Sequence, residues 1–188
     1  MTRPLRADSE RTVRAILDAA NRVLAADPGA SLQQIADEAG VARTTVHRRF
    51  ANREALMEAL VQDMLEQMES VIDDSRPETA PPLVALHEMS AGYIRLKSRW
   101  RVGAVTEADV HQDVVERIKA KNRAMFQRLA DAGVIAADTD LEWAVRAYFA
   151  LLHEAVERRA ATGSEPDTLA ALVTSTLVGG LREPVSPA

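Results

Sequence analysis

Apolar residues recur every three or four positions along almost the whole chain, and no stretch alternates apolar and polar residues as a half-buried strand would. The first helix shows this spacing as one apolar stripe, which the turn sequence DPG at 27–29 closes: Val13, Ile16, Leu17, Ala20, Val23 and Leu24. Such a stripe buries one face of a helix and leaves the other in water. The sequence therefore predicts an all-α fold of about nine helices.

Caps, glycines and prolines divide the rest of the chain. Two short helices are expected at about 32–39 and 42–48, and a fourth begins after Asn52 and runs for about five turns. The segment DSRPETAPP at 74–82 is predicted to be a turn or linker. Further helices are expected at about 83–97, 100–105, 108–132, 141–161 and 168–181.

Composition excludes several classes of protein. Of the 188 residues, 47% are hydrophobic and 27% are charged, which is typical of a soluble globular chain. The absence of cysteine rules out disulfides, thiolate nucleophiles and cysteine-bound metal. No secretory signal and no long apolar span is visible, so we expect a cytoplasmic protein that does not enter a membrane.

Charge is distributed unevenly along the chain. Residues 1–56 contain nine arginines and seven acidic residues, a net charge of +2, although the whole chain carries −5. The remaining residues therefore carry −7. This asymmetry indicates that only the N-terminal part meets a polyanion.

The octet RTTVHRRF at 43–50 concentrates this positive charge. At about 100° per residue, Val46 and Phe50 lie on one face of a helix, and Thr44 and Arg48 point the opposite way. A capped helix, a glycine turn at Gly40 and a plugging valine precede the octet. This order is typical of a helix-turn-helix, whose second helix enters the major groove of DNA.

Arginine and threonine suit the edges of bases and the phosphates of that groove. Amides at 53–55, where the fourth helix begins, suit a phosphate as well. Arg3, Arg6 and Arg11 are expected to form a flexible arm ahead of the first helix. The predicted DNA-binding residues are Arg43, Thr44, Thr45, His47, Arg48, Arg49 and Arg53.

The stretch SLQQIADEAGVARTTVHRRFANREAL at 31–56 resembles the DNA-binding segment of the TetR family of bacterial transcriptional regulators. The matching features are an Ile-Ala pair, an Ala-Gly-Val turn, Thr45, Phe50 and the Arg53-Glu54 pair before Leu56. Two positions depart from the pattern. His47 stands where the family usually has tyrosine, and Ala42 replaces the common capping serine.

The resemblance implies a sequence-specific regulator, most simply a repressor that a small-molecule effector releases from a palindromic operator. It implies a DNA-binding domain at 1–52 and an effector-binding and dimerisation domain at 53–188, with the fourth helix as the lever. Candidate residues for the effector pocket are Met64, Met68, Met89, Tyr93, Trp100, Phe126, Trp143 and Tyr148. Ordinary core packing is the alternative explanation for each of them. Since aromatic residues make up only 4% of the chain, a small or aliphatic effector is favoured over a flat aromatic one.

A homodimer through the helices at 141–161 and 168–181 is also implied. Their apolar faces are too extensive for a monomer surface, so we assign them to the interface. The residues are Leu141, Ala144, Val145, Tyr148, Leu152 and Ala155 on one helix, and Leu169, Leu172, Val173, Thr176, Leu177 and Gly180 on the other.

No catalytic or cofactor motif is visible, so we expect no enzymatic activity and no cofactor. Glu107 with His111, and His153 with Glu157, are spaced to offer two metal ligands each, but neither pair has a third ligand nearby. Two other interpretations stay open from the sequence. One is an all-helical binding module with a vestigial helix-turn-helix, and the other is a transcriptional activator.

Overall fold

The computed structural model describes residues 3–100 and 112–181, with the backbone alone for 3–7. These residues form eight helices and no strand, which confirms the predicted all-α fold. The helices are α1 (Arg3–Ala26), α2 (Leu32–Glu38), α3 (Arg43–Arg49), α4 (Arg53–Asp74), α5 (Pro82–Arg99), α6 (Gln112–Asp131), α7 (Leu141–Thr162) and α8 (Pro166–Leu181). The short helix expected at about 100–105 falls mostly outside the described residues.

The backbone is helical from Arg3 onward, so the prediction of a flexible arm ahead of the first helix is wrong. Arg11 lies inside α1, exposed, and forms an ion pair of 2.7 Å with Asp8. Arginines and acidic residues interrupt the apolar spacing in this first part of the chain. Charges at that density are equally compatible with the exposed first turns of a helix.

The described residues form two compact units. The first comprises the chain up to Leu65 together with Trp100, and the second comprises Glu66–Arg99 and the residues from Gln112 on. Leu56 and Leu60, on α4, are buried in the core of the first unit. That core explains why the first unit extends 13 residues past position 52. The functional division between 1–52 and 53–188 stays a prediction.

The first unit is built on the predicted stripe of α1. Ile16, Leu17, Ala20 and Leu24 are buried, and they pack with apolar residues of α2, α3 and α4. An ion pair between α1 and α4 lies beside this core, with 2.6 Å between Arg14 Nη1 and Asp63 Oδ1. Together these contacts give α2 and α3 a rigid support.

The second unit packs α5 against α8 and α7, with α6 beside α7. Its largest fully buried side chains include Leu86, Phe126, Tyr148 and Leu152. The proline-rich segment before α5 is a turn of this unit, because Arg128 donates hydrogen bonds to the carbonyl oxygens of Pro77 and Ala80.

The assignment of the two apolar stripes of the last helices to a dimer interface needs correction. Ala144, Tyr148, Leu152 and Ala155 are buried within the chain itself, as are Leu169, Val173 and Leu177 of α8. These residues pack α7 and α8 against α5 and against each other. Of the assigned residues, Leu172, Thr176 and Gly180 are exposed.

None of the described helices combines the length and the apolar character that crossing a lipid bilayer requires.

Candidate nucleic-acid interface

The turn between α2 and α3 forms as the sequence predicts. Ser31 Oγ accepts a hydrogen bond from the Gln34 amide, and the Gln34 side chain accepts one from the Ser31 amide, which completes a capping box. Gly40 adopts the left-handed conformation at φ 65°. The Val41 amide then donates to the Ala36 carbonyl over 3.0 Å. This turn fixes the direction in which α3 leaves α2.

Two apolar side chains hold α3 against the first unit. Val46 is fully buried and Phe50 is 6% exposed. The Phe50 amide donates to the Val46 carbonyl over 2.8 Å, which closes the end of the helix. Ala42 begins α3 without a side-chain hydrogen bond, as expected from the missing serine. Packing at one face therefore determines which residues the other face presents.

The opposite face of α3 is basic and exposed. Arg43, Thr44, His47, Arg48 and Arg49 are exposed, and Thr45 is half-buried. Among the residues that the structure describes, Arg48 and Arg49 have no hydrogen-bond or ion-pair partner, and no acidic residue lies in α3. Both guanidinium groups thus retain their full capacity to bond phosphate or base edges.

One hydrogen bond organises the basic face. Arg43 Nε donates to His47 Nε2 over 3.2 Å. The imidazole therefore orients Arg43 from the position where the family usually has tyrosine.

Arg53 has a structural role that the sequence did not predict. Its guanidinium is half-buried and donates to the carbonyl oxygens of Pro28 and Ala30, at the end of the turn after α1. Asn52 caps α4 by accepting from the Ala55 amide over 2.8 Å. Three backbone amides, at 53–55, were expected to bind phosphate. The Ala55 amide already donates to Asn52, and the amides of Arg53 and Glu54 have no hydrogen-bond partner among the described residues. A DNA contact through Arg53 stays a prediction.

Four of the eight candidate pocket residues are brought together in the second unit. Met68, Met89, Tyr93 and Tyr148 line a small interior cavity of about 20 Å³. The other four do not line it: Phe126 is buried against Tyr148, Met64 and Trp100 belong to the first unit, and Trp143 is 57% exposed on α7.

Polar groups within this core were missed from the sequence. Asn122 is 1% exposed, borders the cavity and donates to the Ile118 carbonyl over 2.8 Å. Ser90 donates to the Leu86 carbonyl, and its Oγ lies 3.1 Å from the Tyr148 hydroxyl. Because the hydroxyl hydrogen of Ser90 is given to Leu86, the Tyr148 hydroxyl donates to Ser90 Oγ. Burial raises the pKa of Tyr148. The signal available in the sequence was a polar residue at a core position of each helix.

No group of three or more metal-ligating side chains occurs in the described ranges. His153 and Glu157 are both exposed on α7. The other spaced pair, Glu107 and His111, lies outside the described residues.

The family model described as bacterial regulatory proteins, tetR family, matches residues 16–60, which contain α2, α3 and the turn between them. Residues 16–60 are thus similar to the TetR family of bacterial regulatory proteins. The HTH-type transcriptional repressor LfrR of Mycolicibacterium smegmatis is 44% identical over 80 residues, which are 43% of this chain and 42% of that protein. The sequence match thus spans less than half of that relative.

Solved TetR-like structures cover most of the chain. The LfrR structure from Mycobacterium smegmatis in complex with proflavine matches 93% of this chain and 98% of its own, at 28% identity and a TM-score of 0.72. The TetR-family regulator PfmR of Thermus thermophilus matches 89% of this chain and 99% of its own, at 18% identity and a TM-score of 0.74. The second likeness concerns the fold alone.

Proposed function

We propose that this chain is a sequence-specific DNA-binding transcriptional regulator of the TetR family, a repressor that a small molecule releases from its operator. The observation that carries the proposal is the exposed basic face of α3, which buried Val46 and Phe50 hold outward. The similarity to a protein named a transcriptional repressor supports the direction of the regulation.

In this proposal α3 lies in the major groove. Arg48 bonds the acceptors of a guanine and Thr44 contacts a thymine methyl, because both project directly away from the packed face. Arg43, Arg49, Thr45 and His47 contact phosphates on either side, and Arg53 adds its remaining N–H groups beside the start of α4.

The proposed regulator is a homodimer, so that two copies of α3 read successive major grooves of a palindrome. The interface is assigned to the outer face of α7 and α8, where Trp143 and Leu172 are 57% and 49% exposed. Gly179 and Gly180 are exposed on the same helix as Leu172, and small residues permit close approach of a partner helix.

Residues 53–188 are proposed to bind the effector and to dimerise, and residues 1–52 to bind DNA. The support is the related LfrR structure, which was solved in complex with proflavine. By thermodynamic linkage, an effector that weakens operator binding is itself bound more weakly in the presence of the operator. We propose a cytoplasmic location, no cofactor and a binding role without catalysis.

Fluorescence anisotropy with labelled DNA from the region flanking the protein's own gene tests the proposal. We expect one saturable complex on a palindrome of about two helical turns. The logarithm of its association constant should fall linearly with the logarithm of salt concentration, because phosphate contacts release counterions. A vestigial helix-turn-helix would give no complex that is both saturable and salt-dependent, and that result would refute the proposal.

A further inference from the structure

Two spaces in the second unit share one residue among those that the structure describes. The first is the interior cavity of about 20 Å³, which is lined from α4, α5, α6 and α7. The second is a groove of about 580 Å³ between α6 and α7, open to solvent. Phe149 lines both, and it is half-buried.

The size of each space limits what it can hold. The interior cavity has room for about one water molecule, whereas pockets for organic ligands measure roughly 300–1,000 Å³. The groove reaches that size. An organic ligand in the groove therefore meets the interior only where Phe149 separates the two spaces.

Two aromatic rings pack against Phe149. Its ring centroid lies 6.0 Å from that of Tyr93 and 5.6 Å from that of Tyr148. Movement of the ring breaks no hydrogen bond, and two methionines that line the cavity, Met68 and Met89, are unbranched side chains that repack readily. The interior can therefore enlarge once the ring has moved.

The chemistry of the groove favours an amphiphile. Ala120, Leu141, Val145 and Phe149 give it an apolar lining, and charged residues form the rim. Two rim cations are neutralised, since Lys119 pairs with Glu116 over 2.8 Å and Arg146 with Glu142 over 2.9 Å.

Arg123 is the remaining rim cation. It is exposed and has no ion-pair partner within the described part of the chain. A ligand carboxylate beside Arg123 can form an ion pair with it without breaking an existing one. An alkyl tail attached to that carboxylate then contacts the apolar lining of the groove.

We propose that Phe149 is the gate of an effector site for an aliphatic carboxylate. The head group binds Arg123 at the groove, and the tail passes Phe149 into the cavity that Met68, Met89 and Tyr93 line. Asn122 offers an amide at the inner end for a ligand that carries a second polar group. This inference rests on the proposed release by a small-molecule effector. It adds the chemical class of that effector and the route by which it enters the protein.

Isothermal titration tests the head group with three probes of equal tail length, octanoate, octanol and octylammonium. We expect octanoate to bind most tightly to the full-length protein. Arg123→Gln should weaken octanoate about three- to tenfold and leave octanol unchanged, because the lost contact is a partly solvated ion pair. Arg158→Gln removes an exposed arginine of α7 outside the groove and should change neither. Stronger binding of octylammonium, or equal effects of both variants, would overturn the assignment.

Stopped-flow fluorescence with cis-parinarate, a fluorescent aliphatic carboxylate, tests the gate. Phe149→Ala should speed association about fivefold or more, since the ring no longer has to move. Val115→Ala truncates a half-buried residue of α6 that lines neither space and should leave the rate unchanged. If the alanine variant does not fold, Phe149→Leu serves instead, because it keeps an apolar side chain. Its association rate should lie between those of the wild type and Phe149→Ala.

Association rates that are the same in wild type, in Phe149→Leu and in the folded Phe149→Ala variant would refute the gate. No DNA is present in either experiment. A failure of the ligand site is thereby distinguished from a failure of the regulator assignment, which depends on the anisotropy measurement alone.

Discussion

Arg48 and Arg53 lie five positions apart and have opposite roles in the first unit. Arg48 projects from α3 into solvent with no partner among the described residues. Arg53 is half-buried and holds the turn after α1 through two backbone carbonyl groups. A guanidinium that donates to backbone carbonyls stabilises a turn and keeps only its remaining N–H groups for a ligand, whereas an unpaired one keeps all of them.

Arg48→Ala should therefore weaken binding to the operator by about 1–3 kcal/mol, if the side chain reads a base. The melting temperature should not change, because Arg48 is exposed and has no hydrogen-bond or ion-pair partner in the part of the chain that the structure describes. Anisotropy titration and thermal unfolding measure the two quantities. Arg158→Ala, on α7, is the matched control and should leave the affinity unchanged. An unaltered operator affinity in Arg48→Ala would remove this residue from the site.

Glu69, in the second unit, has a carboxyl group whose pKa is strongly lowered. Arg117 donates to both of its carboxylate oxygens over 3.1 Å, and Lys121 Nζ lies 2.9 Å from Oε1. These two cations, Arg117 foremost, lower the pKa of Glu69 from 4.5 to about 2. The carboxylate thereby joins α4 to α6.

Glu69→Gln should destabilise the protein by about 0.5–1 kcal/mol at pH 7, a value reduced for the solvent exposure of the partners. Because the folded pKa lies below the unfolded one, this stabilisation is complete above pH 4.5 and is lost as the pH falls toward 2. Urea unfolding at pH 7 and pH 3 should thus show a smaller difference from wild type at the lower pH. Glu88→Gln, an exposed carboxyl of α5, should show no such trend.

The turn between α2 and α3 determines which way the recognition face points. Its backbone needs a positive φ at Gly40, where a Cβ atom would meet no neighbour within 4 Å. A side chain at this position would therefore destabilise the fold through backbone strain and not through steric crowding.

Gly40→Ala should destabilise the full-length protein by about 1–2 kcal/mol, the cost of placing alanine in the left-handed region. Gly40→Asn should cost less, because asparagine tolerates this conformation best after glycine. The urea midpoint of each variant measures the effect. If alanine proved no worse than asparagine, backbone strain would not be what restricts this position.

Helices α7 and α8 show that amphipathic spacing does not determine which surface buries the apolar face of a helix. Their apolar stripes are real, but Tyr148, Leu152 and Leu169 face the core of their own chain. A stripe indicates that a helix face is buried and carries no information about which surface buries it. Of the residues assigned to the interface from the sequence, Leu172 stays exposed, and Trp143 joins it as a candidate only because the structure leaves it 57% exposed.

The whole molecule is proposed to function as a symmetric dimer, and its surface offers a matched pair of leucines to test that. Leu172 on α8 is 49% exposed and lies on the proposed interface, whereas Leu83 on α5 is 47% exposed and lies outside it. Equal exposure makes the two substitutions comparable in their effect on folding.

Leu172→Arg should convert the dimer to a monomer and abolish tight binding to the palindrome, because two like charges would face each other across a two-fold axis. Leu83→Arg should remain dimeric. Sedimentation velocity measures the mass, and anisotropy measures the affinity. A monomeric wild type, or a dimer unaffected by Leu172→Arg, would contradict the assigned interface.

The sequence by itself determined the helical class, the capping box at Ser31, the turn at Gly40 and the outward face of α3. These features depend on residues close together in the chain, where periodicity and backbone preference act directly. The tertiary structure alone decided that Arg53 supports a turn, that Phe149 separates a groove from a cavity, and that the stripes of α7 and α8 form a core. Each of those outcomes depends on which distant side chain comes within contact distance, and a linear pattern does not contain that information.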